Sequence, residues 1–293
     1  MTYQKFLENL KAEIENFNEV MGEEVVELFK VRKLNIGELD AVKLKNSLCS
    51  PVVHVKNYYE QFKDVPDNKS YSALIHIMRD LNTHHTNEEI ETIIKKNINS
   101  DMIIMQLVNY EKNAHILTDV PYRKWNDLAI VYRLQFDIGT TALIKNETLK
   151  ILKMNEDELY HVARHNTSRL NPYVVTSMDN VLKKLMMDIG LDDEGMECGS
   201  QMYVINNIHG MDGAIYMTYL SIYTKLASEL NADLYILPCS VHEVIALPNK
   251  MLDVSELVEM VHSINREHVS DEDFLSNSVY YYSRELNQIK KVG

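Results

Sequence analysis

Hydrophobic residues near the amino terminus recur at three- and four-residue spacings over residues 2–20, the pattern of an amphipathic helix. Gly22 follows the stripe, and we expect the helix to end there. Alternating apolar and polar residues on either side of Asn35-Ile36-Gly37 then predict a β-hairpin over residues 25–33 and 38–45. The next stretch, residues 54–98, is predicted to be helical.

The middle region, residues 100–189, mixes strand-like and helix-like patterns. Its strand-like stretches are residues 102–110, 127–137 and 140–145. An irregular stretch at residues 113–125 separates the first two. Asn155 and Glu158 form a capping-box pair, which predicts the start of a helix. Residues 190–200 are rich in glycine and acidic residues with little to bury, so we expect a linker there.

Beyond residue 200 the pattern gives a regular order of elements. The predicted elements are a strand at 202–207, a helix at 214–230, strands at 234–238 and 242–247, a helix at 254–267 and a strand at 278–283. This βαββαβ order is that of a ferredoxin-like domain. The sequence therefore predicts an α+β fold with an N-terminal α+β region (1–99), a mixed middle region (100–189) and a ferredoxin-like domain (201–293).

The two central strands of that domain, YILP and VIALP, are apolar at successive positions and not only at alternate ones. A ferredoxin-like sheet has helices on one face only, so its strands should alternate. Both faces of this sheet must therefore be covered. We expect the middle region, residues 100–188, to supply the second cover, with a dimer partner as the alternative.

Composition limits the classes of partner. The chain has 293 residues and a formal net charge of −13, so its field should repel nucleic acid and anionic membranes. The 3 cysteines are widely spaced, which is typical of a reducing compartment. No apolar run is long enough to span a bilayer and the start does not resemble a signal peptide. We expect a cytoplasmic protein that needs no cofactor.

Several stretches resemble a known family: PVVHVKNYYEQF, LTDVPYRKWNDLAIVYRL, DELYHVARHNTSRL, MYVINNIHGMDGAIYM, DLYILPCSVHEVIALP and SVYYYSRE. Together they are similar to a domain-of-unknown-function family of about the same length from anaerobic gut Firmicutes (Clostridia), with members on integrative mobile elements. The resemblance implies no activity, cofactor or catalytic residue. The family usually has serine in place of Cys239 and lacks the counterparts of His161 and His165.

The turn between the two central strands has the residue types of a hydrolytic site. Ser240, His242 and Glu243 could act as nucleophile, base and orienting acid, with Cys239 beside them. In an extended strand, however, residues two apart lie about 7 Å from each other, too far for a direct hydrogen bond. The alternative is a polar hairpin tip without catalytic function.

Two further candidates involve ligands. His161 and His165 are four residues apart on the predicted helix, a spacing that lets two imidazoles face one metal ion, and a solvated helix face is the alternative. Gly210 and Gly213 join a strand to a helix and could expose N–H groups to a phosphate. Asp212 would place a negative charge there, and a tight turn is the alternative.

Arg123, Trp125 and Asp127 lie in and beside the irregular stretch, and because Arg and Trp are frequent at interfaces we predict a contact surface there. With no catalytic constellation of sufficient specificity, the sequence favours a non-catalytic interaction or regulatory protein that binds a protein partner or itself. The alternatives are a hydrolase that uses the Ser240 cluster and a metal-binding protein that uses the histidine pair.

Overall fold

The computed structural model describes residues 1–23, 25–45, 53–63, 71, 75, 99–188, 201–250 and 253–293. The chain forms two compact units, Met1–Ile98 and Asn99–Gly293. The predicted linker at residues 190–200 and most of the predicted helical stretch at 54–98 lie outside the described residues. In the ranges that are described, no helix is both long and apolar enough to cross a bilayer.

The first unit contains the predicted helix and hairpin. Its elements are α1 Tyr3–Met21, β1 Val26–Lys33, β2 Gly37–Leu44, β3 Val53–His54 and α2 Val55–Phe62. Helix α1 starts where the Thr2 side chain accepts a hydrogen bond from the Lys5 N–H, and it ends at Gly22, whose φ of 72° is left-handed. The buried stripe of α1 packs on the hairpin and forms a small core with it: Phe6, Leu10, Ile14, Val26, Val42 and Leu44.

The second unit contains a four-stranded antiparallel sheet. Its strands are β4 Ile103–Asn109, β5 Tyr122–Trp125, β6 Leu128–Asp137 and β7 Thr140–Leu143, and its helices are α3 Ala114–Leu117, α4 Asn146–Leu152 and α5 Glu156–Leu170. Strand β6 pairs with β4 along one side and with β5 and β7 along the other. The predicted capping box opens α5. Near the other end of α5, the Thr167 hydroxyl accepts a hydrogen bond of 2.9 Å from the Met105 N–H.

A six-stranded antiparallel sheet forms the rest of the second unit. In spatial order its strands are β13 Gln288–Lys291, β12 Tyr280–Ser283, β10 Leu234–Pro238, β11 Val244–Pro248, β9 Tyr203–Asn207 and β8 Tyr173–Ser177. The accompanying helices are α6 Met178–Asp188, the 3₁₀ helix Gly213–Thr218, α7 Leu220–Leu230 and α8 Val254–His268. Strand β8 comes from the predicted middle region and pairs with β9, so the two predicted ranges share one sheet.

The α+β class is confirmed, and the order βαββαβ is present from β9 to β12, but the ferredoxin-like arrangement is not confirmed. In that arrangement the first strand lies between the third and the fourth, whereas here the second strand, β10, holds that place and β9 lies outside β11. The two crossovers, β9–α7–β10 and β11–α8–β12, therefore run in the same direction across the sheet, and they start from strands of opposite orientation. Because such crossovers are right-handed, the two helices are placed on opposite faces.

The side chains confirm that both faces are covered. On one face, Leu257 and Val261 of α8 pack with Leu237 and Leu247 of the central hairpin. On the other face, Tyr223 of α7 lies 6.1 Å from Tyr282, measured between ring centroids. The middle region also reaches this second face, as predicted, since Trp125 stacks on Tyr280 at 5.7 Å. The apolar residues on both faces of YILP and VIALP are explained by these layers.

Candidate functional site

A cleft of about 100 Å³ lies where the tip of the β10–β11 hairpin meets the loop after β9. The β6–β7 turn and the carboxyl end of α5 form its other walls. Polar side chains from these elements line it: Gln135, Thr141, Thr167, Asn171, Asn207, His209, Asp212 and His242. Apolar side chains, among them Ile104, Ile138 and Met211, complete the wall.

The loop at residues 208–212 is a tight turn with two left-handed residues. Gly210 has φ 68° and Asp212 has φ 56°. Gly213, one of the two phosphate candidates, is needed for close approach, because an added Cβ would lie 2.5 Å from the His242 carbonyl oxygen and 2.7 Å from the Asn206 Cα. The backbone of Gly210 and Asp212 thus forms a tight turn, and the phosphate site at Gly210 and Gly213 stays a prediction.

The N–H groups of this loop point largely at the protein. The His209 N–H donates to the Asn207 side chain at 2.9 Å, and the Gly210 N–H donates to the Asn207 carbonyl oxygen at 3.0 Å. The Asp212 N–H donates to His242 Nδ1 at 3.2 Å. A phosphate at Gly210 and Gly213 would compete with these bonds.

The imidazole of His242 is held at both nitrogens. Because Nδ1 accepts the Asp212 N–H, it carries no proton, and the ring proton resides on Nε2. Nε2 donates to Asp273 Oδ1 at 3.1 Å. The hydrogen bonds thus fix the tautomer and the orientation of the ring.

The structure does not bring the hydroxyl of Ser240 to this ring. Ser240 Oγ accepts a hydrogen bond of 3.0 Å from the backbone N–H of His242, and the carboxylate bonded to the ring belongs to Asp273 and not to Glu243. Burial, aided by the charge of Glu243, raises the pKa of Cys239 to about 12. The thiol therefore stays protonated at neutral pH and is a poor nucleophile.

A chain of hydrogen bonds links a half-buried arginine to the cleft. Arg133 donates through Nε to Thr141 Oγ1 at 2.7 Å and through Nη1 to Gln106 Oε1 at 3.1 Å. Gln106 in turn donates through Nε2 to Asp212 Oδ1 at 2.7 Å. Burial lowers the pKa of Arg133, and the charge of Asp212 acts in the opposite direction. The side-chain amide of Gln106 thus lies between the carboxylate of Asp212 and the guanidinium of Arg133.

Sequence reasoning did not find this chain of residues. Arg133 stands in the strand LAIVYRLQF, whose other positions up to Leu134 are buried, so a charged residue there was a signal of a buried polar network. Asp273 gave no signal, because the acidic stretch around it reads as a solvated loop.

The histidine pair lies on α5. His161 and His165 are both exposed, and the ring of His161 meets Tyr160 edge-on at 5.7 Å. Within the residues that the structure describes, no group of three or more His, Cys, Asp and Glu side chains is arranged to hold a metal ion. The histidines that could supply further ligands, His76, His84 and His85, lie outside the described residues.

The predicted contact surface makes contacts within the chain. Arg123 forms a two-point ion pair with Glu156 at 3.1 and 2.6 Å, and its guanidinium lies 4.0 Å from the centre of the Tyr160 ring. Trp125 stacks on Tyr280, as described above. These residues join the four-stranded sheet to α5 and to the six-stranded sheet.

Asp127, the third residue of that surface, is an acceptor for three hydroxyl groups. It accepts hydrogen bonds from Ser276 at 3.1 Å, Ser278 at 2.9 Å and Tyr280 at 2.6 Å. Burial is the largest single influence and raises its pKa, but the hydrogen bonds from Tyr280 and Ser278, a backbone hydrogen bond and the charge of Lys291 together outweigh burial, so the pKa of Asp127 lies below its usual value.

The fold and the cleft define an antiparallel α+β protein whose six-stranded sheet is covered on both faces and whose polar groups gather beside one hairpin tip. The chain belongs to a family of unknown function, DUF5688, whose model matches residues 3–284. The resemblance to a family without assigned function is thereby confirmed. No curated protein matches the chain, and neither does any solved structure.

Proposed function

We propose that this protein acts by binding another protein chain, as a non-catalytic interaction or regulatory factor of the cytoplasm. The observation that carries the proposal is helix α6. Its apolar residues recur at the spacing of a packed helix, yet none of its residues is buried. Leu185 is 57% exposed and Val181 36% exposed. A helix with an apolar stripe is stable when that stripe packs against something, and a partner chain would supply it.

Strand β8, which leads directly into α6, extends this surface. It is an edge strand of the six-stranded sheet, and it exposes Tyr173 and Val175 without a charged residue among its members. The opposite edge, β13, carries Lys290 and Lys291. Charged residues on an edge discourage pairing with another chain, so the two edges differ in the way expected if β8 meets a partner. We call Tyr173, Val175, Val181, Leu182 and Leu185 the β8–α6 face.

The hairpin tip supports a binding role more than a catalytic one. Both nitrogens of His242 are engaged by Asp212 and Asp273, and the Cys239 thiol is protonated at neutral pH. The hydrolase that uses Ser240, His242 and Glu243, and the metal protein that uses His161 and His165, stay predictions. A role as an accessory factor of mobile elements follows from the family resemblance and is part of the proposal.

The test is affinity capture from the native host, followed by light scattering of the purified protein. We expect either a captured partner or a self-associated form, and we expect Leu185→Glu to abolish it. Ile151→Glu is the matched control, since Ile151 is a comparably exposed apolar residue (54%) on α4, outside the β8–α6 face.

A monomer that captures nothing contradicts the proposal, and so does an association that Leu185→Glu leaves intact. Equal loss in both variants would point to a general effect of added charge and would also contradict it. A shift to dimers in light scattering identifies the partner as a second copy, whereas a captured host protein identifies a different chain.

A further inference from the structure

The cleft beside Asp212 contains two hydrogen-bond acceptors that the described residues leave unused. Asp212 Oδ1 accepts from Gln106, but Oδ2 has no partner among them. His209 Nε2 lies 3.2 Å from the carbonyl oxygen of Leu170 and must donate to it, so the lone pair of His209 rests on Nδ1. Both side chains line the cleft. The site therefore offers one charged acceptor and one neutral acceptor.

The charge of Asp212 is not cancelled by direct contact. Gln106 stands between the carboxylate and Arg133, and its amide can be oriented in only one way, because Oε1 accepts from the guanidinium and Nε2 donates to the carboxylate. Asp212 is also held in a left-handed backbone conformation by the bond from its N–H to His242. Aspartate and asparagine are among the few residues other than glycine that adopt this conformation, so the bond to His242 fixes the position of the Asp212 side chain without marked strain.

The size of the cleft restricts the ligand. A cavity of about 150 Å³ holds benzene, with its six carbon atoms, so a cleft of about 100 Å³ fits about four or five non-hydrogen atoms. Ile104, Ile138 and Met211 also line the cleft and give it an apolar part. A short alkyl body with one group rich in N–H donors matches both features.

We infer that this cleft binds a small organic ammonium group, with the N–H donors on Asp212 Oδ2 and His209 Nδ1 and the alkyl body against Ile104 and Met211. The net charge of −13 favours the approach of cations to this chain. The inference stands on the cleft alone and does not depend on the β8–α6 face.

The experiment compares three probes of nearly equal size: propylammonium, 1-propanol and propionate. Each is titrated into ²H,¹⁵N-labelled protein, and the amide signals of His209, Asp212 and Asn171 are followed. For a ligand of four heavy atoms we expect propylammonium to saturate with a dissociation constant of about 1 mM. The alcohol and the anion should bind at least about tenfold more weakly, because hydrogen bonds to a charged acceptor are the stronger ones.

Asp212→Asn tests the carboxylate with little disturbance of the loop, because asparagine tolerates the left-handed conformation and keeps an oxygen for Gln106. It should weaken propylammonium binding about tenfold or more. Asp119→Asn removes the same charge at an exposed site outside the cleft lining and should leave binding unchanged. No saturable shift with any probe, tighter binding of propionate, or equal losses in the two variants would overturn the inference. The comparison of probes on the wild-type chain decides the matter even if Asp212→Asn fails to fold.

Discussion

Tyr223 in the middle of α7 is completely buried, yet its hydroxyl finds no hydrogen-bond partner within the described chain. Burial also raises the pKa of this phenol, which shows how little solvation the hydroxyl has. The neighbouring ring of Tyr282 differs: its hydroxyl lies 2.9 Å from Thr224 Oγ1 and 3.0 Å from Asn287 Oδ1. The two tyrosines lie in one core and form a matched pair for comparison: the hydroxyl of Tyr223 lacks a hydrogen-bond partner among the described residues, and that of Tyr282 has two.

We expect Tyr223→Phe to stabilise the protein. Leaving a buried polar group without a partner costs about 1–3 kcal/mol, whereas the phenyl ring keeps the packing on Tyr282. Removing the oxygen atom also loses a few dispersion contacts, each worth roughly 0.1–0.2 kcal/mol, and this loss offsets only part of the gain. The net gain should be about 1 kcal/mol. Tyr282→Phe should instead cost about 0.5–1.5 kcal/mol for each of the two hydrogen bonds that are lost.

The measurement is urea unfolding at constant pH, with the midpoint and the slope compared among the wild type and the two variants. A change of midpoint at constant slope reports stability alone. For a unit of this size, about 1 kcal/mol corresponds to a rise in the thermal midpoint of about 2–4 °C. If Tyr223→Phe is as destabilising as Tyr282→Phe, the reasoning is refuted, and the hydroxyl of Tyr223 must bond to an ordered water.

Three further predictions concern the cleft and the contact between the sheets. Gly213→Ala should lower the free energy of unfolding in urea more than Gly210→Ala does. The added methyl group at Gly213 clashes with backbone atoms, whereas at Gly210 the only cost is the roughly 1–2 kcal/mol penalty of a left-handed residue. Nitrogen-detected NMR should show His242 as the Nε2–H tautomer at neutral pH, and an Nδ1–H tautomer would contradict the bond from Asp212. Asp127→Asn should destabilise the protein at neutral pH. Because folding lowers the pKa of Asp127, the carboxylate contributes to the free energy of unfolding above the unfolded pKa of about 3.9, and this contribution is lost as pH falls through the folded pKa. The difference in stability between wild type and variant should therefore shrink in that acidic range. A difference that is constant with pH would argue against this.

Local signals in the sequence predicted local structure well. The alternation on either side of Asn35-Ile36-Gly37 predicts the β1–β2 hairpin that is present, and the predicted capping box before α5 is formed. These features depend on interactions between residues a few positions apart, which is why a single sequence suffices to find them.

Strand order and the composition of the cleft depend on distant pairings, and they were not predicted. The stretch predicted as irregular contains β5, and β8 and β13 were missed because each is a short strand added at an edge. In the cleft, the two partners of His242 lie 30 and 31 positions away from it along the chain. The candidates Ser240 and Glu243 are adjacent to His242 in the sequence, but Ser240 Oγ bonds to the backbone N–H of His242 and the carboxylate bonded to the ring belongs to Asp273.

The central hairpin Leu234–Pro248 accounts for how the cleft is held. Because layers pack on both faces of β10 and β11, the hairpin cannot tilt toward either side without opening a core, and its tip has a fixed position. At this tip, the loop after β9 can approach the His242 carbonyl closely because Gly213 has no Cβ, and the His242 ring accepts the N–H of Asp212. The two-faced hydrophobic pattern is thus the physical reason that the hairpin tip can position a carboxylate in the neighbouring loop.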